Sequence, residues 1–119
     1  MNSRAKREAS GRRGEWLAAW YLRLTGWRIL ASRVKTPRGE VDLVVRRGRL
    51  VAFVEVKWRS TTGQLDFAID DYRLRRVAAA SEAIAHRYAR PGDDLRIDVM
   101  LLAPGCLPRR ITNAWRSGA

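Results

Sequence analysis

Two apolar runs in this 119-residue chain are interrupted by charges at spacings that suit metal-assisted hydrolysis. Gly39-Glu40-Val41-Asp42-Leu43-Val44-Val45 and Val51-Ala52-Phe53-Val54-Glu55-Val56-Lys57-Trp58-Arg59 both read as strands. Side chains alternate along a strand, so Glu40 and Asp42 share one face of the first while Val41, Leu43 and Val45 share the other. On the second, Phe53, Glu55 and Lys57 share a face opposite Ala52, Val54 and Val56. One face of the pair reads as core and the other as polar. The two charged faces coincide only if paired residue numbers sum to an odd value. A two-residue turn at Arg47-Gly48 gives a sum of 95, with Glu40 opposite Glu55 and Asp42 within diagonal reach of it. A four-residue loop gives 97 and sets Asp42 opposite Glu55. Either register gathers three carboxylates and one ammonium.

Like charges about 4 Å apart repel by about 4 kcal/mol at an effective dielectric near 20. A divalent cation removes that repulsion, and hard oxygen ligands with no His or Cys nearby favour magnesium or manganese over zinc. Lys57 could orient or deprotonate a water beside such an ion, or neutralise a phosphate. Asp42, Glu55 and Lys57 are therefore the candidate catalytic residues for hydrolysis of a phosphodiester. Taken singly, each has a plainer reading as a solvated strand end or the partner of an arginine. As a set inside apolar strands, the plainer reading is weaker.

The elements that would position them follow from periodicity. From Arg12 to Thr25, Trp16, Leu17, Trp20, Tyr21 and Leu24 recur at helical spacing, with Gly26 as C-terminal cap. Three strands follow, Trp27 to Val34, Glu40 to Arg46 and Leu50 to Trp58, as an antiparallel meander. A second helix is expected from Asp70, as N-cap, to about Arg90, with Tyr72, Val77, Ala80, Ile84 and Tyr88 along its apolar stripe. Arg96 to Leu102 then makes a strand, parallel to the third because a helix intervenes, and Arg110 to Trp115 closes the edge. The order is α-β-β-β-α-β-β, an α/β sandwich with a mixed sheet of about five strands flanked by helices.

Length and composition bound the partners. The chain is expected to be one domain, 1–119, with 1–10 a flexible basic tail. Its 24 Lys and Arg against 12 Asp and Glu leave a net charge of +12. That charge points to a polyanion, either nucleic acid or an anionic membrane surface. Arginine makes up 21 of the 24 basic residues, which suits bidentate phosphate contacts but equally fits a codon bias. Arg12, Arg13, Arg33, Lys35, Arg38 and Arg59 could flank the carboxylates as a phosphate track or simply be solvated surface. No apolar run approaches the ~20 residues of a membrane helix, and no signal peptide is evident. A single cysteine, Cys106, excludes an internal disulfide and a cysteine-based zinc site. A cytoplasmic location fits.

Asp42, a gap of 12 residues, then Glu55-Val56-Lys57 resembles the D…(D/E)XK signature of restriction-endonuclease-like nucleases. The fuller pattern resembles the YraN family of small bacterial proteins. It comprises Gly11-x-x-Gly14-Glu15-x-x-Ala18-x-x-Tyr21-Leu22, Gly39-Glu40-Val41-Asp42-Leu43, Phe53-Val54-Glu55-Val56-Lys57-x-Arg59, Arg96-x-Asp98-Val99 and Asn113-Ala114. The resemblance spans Gly11 to Trp115 and implies a restriction-endonuclease-like sandwich similar to Holliday junction resolvases. It also implies a Mg2+ (or Mn2+) site of Asp42, Glu55 and the Val56 carbonyl, with Lys57 catalytic and Glu15 an additional metal ligand or metal-water partner. For Glu15 a helix N-terminal role is an equal alternative. Where the family commonly opens helix two with a lysine, this chain has Tyr72 and Arg73, so a phosphate contact would pass to Arg73, Arg75 or Arg76.

These readings predict a metal-dependent endonuclease acting on DNA with branched or single-stranded features, leaving 5′-phosphate and 3′-hydroxyl ends as the resemblance implies. The alternative is a nucleic-acid-binding module on the same fold, non-catalytic or activated by a partner. A membrane-surface or ribosome-associated protein explains the charge but leaves the acidic cluster without a purpose. The expected partners are nucleic acid, a second copy in a homodimer, and a protein partner in DNA processing.

Overall fold

In the computed structural model, which describes residues 3–58 and 71–113, seven elements follow one another. They are α1 (Ser3–Leu24), β1 (Arg28–Thr36), β2 (Gly39–Arg47), β3 (Leu50–Trp58), α2 (Asp71–Tyr88), β4 (Asp94–Leu102) and β5 (Arg109–Ile111). The strands form one mixed sheet in the order β1-β2-β3-β4-β5. β3 and β4 pair in parallel across α2, and the other three pairings are antiparallel. The α/β class, the element order and the parallel crossover agree with the sequence reading. Arg59, Asp70, Ala114 and Trp115, and the side chains of Arg12 and Arg13, lie outside the described residues.

Neither face of the sheet is polar throughout, contrary to the expectation. Ala18, Leu22 and Trp27 pack on Leu43, Val45, Ala52, Val54, Met100 and Leu102 on one side. Ala80 and Ile84 of α2 pack on Val44, Val51 and Phe53 on the other. Glu55 and Lys57 continue the α2 face beyond Phe53, at the end of the sheet where the apolar cluster stops. Val41 is a second departure, because it packs in the α2-side cluster and not with Leu43 and Val45. Arg33 on the neighbouring strand takes a positive φ of 52°. That interrupts the alternation of β1 between the pairs Ser32–Leu43 and Val34–Val41.

The first helix begins at Ser3, about two turns before the periodicity predicts, and so takes in residues 3–10, read from sequence as a tail. The extra turns are built mainly from Ala, Arg, Lys and Glu, good helix formers that outnumber Ser3, Ser10 and Gly11 and carry no apolar period. Its buried row also differs from the expectation. Gly14, Ala18 and Leu22 face the sheet, while Trp16, Trp20 and Leu24 are exposed at 60%, 46% and 78%. The reason is proximity: a Cβ placed on Gly14 would lie 3.4 Å from the Trp58 Cβ and 3.7 Å from Val56 Cγ1. An axis that close to β3 admits small residues and excludes indoles. The helix ends as predicted at Gly26, with the amides of Trp27 and Gly26 bonding to the carbonyls of Leu22 and Arg23 at 2.9 and 3.2 Å.

Candidate active site

The β2–β3 hairpin turns at Gly48-Arg49, with Arg47 paired to Leu50. Glycine at the first central position, with φ 62°, is the requirement of a type II′ turn. This turn gives the sum of 97 with two loop residues, neither the turn at Arg47-Gly48 nor the four-residue loop considered from sequence. Leu43 lies opposite Val54 and Val44 opposite Phe53, so continuing the register sets Asp42 against Glu55. The ladder itself stops at Leu43–Val54. Beyond it the Val56 amide donates to Oδ2 of Asp42 at 2.7 Å, the side chain standing in for a strand carbonyl. Amide and carbonyl of one strand residue point the same way, so the Val56 carbonyl also faces the Asp42 side.

Glu55 and Lys57 are 8% and 6% exposed, and Lys57 Nζ lies 3.1 Å from Glu55 Oε1. The buried ammonium thus answers Glu55, while Asp42 is half-buried beside it. Burial pushes the Asp42 carboxyl up to about 8, with the Glu55 charge adding to the rise and the Val56 amide opposing it. Glu15 contributes a smaller repulsion to Asp42 and is thus electrostatically within reach. Its side chain, however, accepts from Arg33 Nε at 2.6 Å. That contact raises the Arg33 pKa, with Glu40 and Asp42 adding to the effect.

Above Asp42 and Glu55 opens a depression of about 260 Å³ lined also by Glu40, Tyr72, Arg73 and Arg76. The last three project from the first turns of α2. Gly39 lets α2 come this close, since a Cβ there would lie 3.0 Å from the Arg76 carbonyl oxygen. Its φ of 155° is also one that L side chains rarely adopt. Arg76 stacks toward Tyr72, with 5.9 Å from guanidinium carbon to ring centroid. Arg38 is exposed on the turn between β1 and β2, where its amide donates to Thr36 Oγ1 at 3.1 Å.

The structure therefore brings together Asp42, Glu55, Val56, Lys57, Arg73 and Arg76, and turns Glu15 aside. Among the described residues no three His, Cys, Asp or Glu side chains form a group that could hold a metal. Tyr72, read from sequence as part of the apolar stripe of the second helix and as standing where a lysine is common, is instead exposed and lines the site.

A second buried carboxylate was missed as chemistry, although its signal was an aspartate inside an apolar strand. Asp98 is fully buried and accepts from Arg96 Nε and Nη2 at 2.8 Å, Arg110 Nη2 at 2.6 Å and the Asn113 amide at 2.9 Å. Burial raises its pKa, but these donors outweigh it and hold the carboxyl below the usual range. The guanidiniums of Arg47, Arg110 and Arg96 lie 4.5, 4.9 and 5.8 Å from the Trp27 ring centroid. This cluster ties β5 to the sheet, and its acid, unlike Asp42, has donors enough.

The model of the family described as "Uncharacterised protein family UPF0102" matches residues 14–102. A UPF0102 protein of Erythrobacter litoralis is 70% identical over 109 residues, covering 92% of this chain and 94% of its own. Those of Sphingopyxis alaskensis and Rhizorhabdus wittichii are 64% and 60% identical, each over at least 96% of this chain and 98% of their own.

Proposed function

We propose, from the premise that the chain belongs to the UPF0102 family, that it is a metal-dependent endonuclease hydrolysing DNA phosphodiester bonds. The observation that carries this reading is the pair of a half-buried Asp42 and a buried Glu55, set opposite one another by the hairpin register with Lys57 at 3.1 Å from Glu55, beneath a depression lined by Arg73 and Arg76.

The donor set fits a hard divalent cation. Asp42 is held near neutral by burial and by the Glu55 charge, and a cation between the two would relieve both causes. Asp42, Glu55 and the Val56 carbonyl would supply three oxygens, leaving positions for water as magnesium favours. Glu15 joins only by giving up Arg33. When bound, the ion supplies Lewis-acid polarisation of the phosphate and a water of lowered pKa.

The chain's own residues do the rest. The Val56 amide fixes the orientation of Asp42. Lys57, buried beside Glu55, is placed to exchange that contact for an attacking water or a non-bridging phosphate oxygen. Arg73 and Arg76 hold the phosphodiester over the acids and offset the charge that grows in the transition state.

A second reading, a nucleic-acid-binding module completed by a partner, is favoured by one observation: Lys57 is already engaged by Glu55. Labelled duplex, single-stranded, flap and four-way-junction DNAs incubated with magnesium or manganese separate the two. Cutting by the wild type that Asp42→Ala and Lys57→Ala both lose supports the nuclease. Equal binding by all three proteins with no cutting moves the binding module ahead.

A further inference from the structure

The outer face of α1 carries side chains that the carboxylate site does not use. Trp16, Trp20 and Leu24, one turn apart, form an exposed apolar row. Trp16 and Trp20 meet edge to face, with ring centroids 6.0 Å apart and planes at 69°. Residues this bulky are expensive to leave in water, and a contiguous exposed patch marks a contact surface. Trp16 also lines a depression of about 270 Å³ between α1 and β1, together with Arg23, Arg33, Ser32 and Glu15.

Charge decides what covers the row. α1 carries Arg4, Lys6, Arg7, Arg12, Arg13 and Arg23 against Glu8 and Glu15, and the whole chain has a net charge of +12. A second copy would bring together two chains of net charge +12, whereas a polyanion is drawn by that charge and meets Arg23 and Arg33 beside Trp16. An apolar ring flanked by guanidiniums is the composition of a stacking platform for unpaired bases. Duplex hides its base faces, so such a platform selects single strands.

Position links the row to the carboxylates. Gly14, two residues before Trp16, abuts Val56 and Trp58 at the end of β3 that carries Glu55 and Lys57. Arg33, which lines the Trp16 depression through its pair with Glu15, lies across β1 and β2 from Asp42. We propose that Trp16 and Trp20 stack on unpaired bases of a nucleic-acid strand whose backbone passes Arg23 and Arg33 toward the Asp42–Glu55 site. The substrate of the endonuclease then has single-stranded character. The proposal rests on the nucleic-acid part of the reading above and not on catalysis.

The test is binding of fluorescent oligo-dT of about ten nucleotides, and of a duplex of equal length, by the full chain in EDTA so that no cutting occurs. Trp16→Ala is expected to weaken oligo-dT binding by about fivefold or more, the loss of one stacked base, with duplex binding unchanged. Trp16→Phe, which keeps a ring, is expected to retain most of the affinity. Unaltered urea midpoints for both variants show that the fold is intact, as exposure of the residue leads one to expect. Equal loss on duplex and oligo-dT, or no loss on either, overturns the platform. So does sedimentation of the wild type as a dimer that Trp16→Ala dissociates, since the row would then cover itself. Trp16-dependent oligo-dT binding beside a failed cleavage panel leaves the platform standing and removes only the nuclease. Cutting that depends on Asp42 but not on Trp16 does the reverse.

Discussion

Replacing Asp42 by Asn should stabilise the metal-free protein near neutral pH while abolishing its response to magnesium. The carboxamide keeps an oxygen for the Val56 amide and removes the charge that faces Glu55. The folded-state pKa of Asp42 is raised, to about 8, while an unfolded aspartate titrates near ~3.9. Between those values the unfolded chain has already lost the proton that the folded chain keeps. Wild-type stability from this source is therefore greatest below the unfolded pKa and declines as pH rises toward the folded one, by about 1.4 kcal/mol per pH unit. Between pH 5 and pH 7 the advantage of Asp42→Asn over wild type should grow by roughly 2–3 kcal/mol. With a urea slope of about 1–3 kcal/mol per molar, the gap between unfolding midpoints widens by roughly 0.7–3 M. The assay is urea unfolding of both proteins across that range in EDTA, repeated with magnesium. Added magnesium should raise the wild-type midpoint through binding to the folded state alone and leave the variant where it was. A gap that does not change with pH, or a variant less stable than wild type at pH 7, would refute the argument that burial and the Glu55 charge hold the Asp42 carboxyl protonated near neutral pH.

Two further predictions concern the frame around the site. Asp98→Ala should lower stability by about 3–5 kcal/mol, because it strands the Arg96 and Arg110 guanidiniums beside Trp27; a loss in urea unfolding below about 1 kcal/mol would show that solvent can replace the carboxylate. Gly39→Ala should cost about 2 kcal/mol through its backbone angle and the 3.0 Å approach to the Arg76 carbonyl. An unchanged melting temperature would mean that α2 moves off the sheet without penalty.

The α/β order, the strand identities and the Asp42, Glu55, Lys57 set were legible in the sequence because they rest on local rules. Alternation by two puts Glu55 and Lys57 on one face whatever else the chain does, and a helix between two strands makes their pairing parallel. Even the hairpin register had a local signal in Gly48-Arg49, whose glycine suits the first central position of a type II′ turn. What the sequence could not decide is which side of an element meets another. The first helix has two apolar rows, and its period alone favours the heavier one, with Trp16 and Trp20. Only the close passage of α1 over Val56 and Trp58 selects Gly14, Ala18 and Leu22 for the core and leaves the indoles outside. Likewise the fold, and not the spacing, brings Glu15 within electrostatic reach of Asp42. The pairing of Glu15 with Arg33 depends on a positive-φ residue in β1 that aims the guanidinium at it. Spacing along the chain fixes which residues share a face; distance between elements, set by packing, fixes which face is covered and which charge is answered.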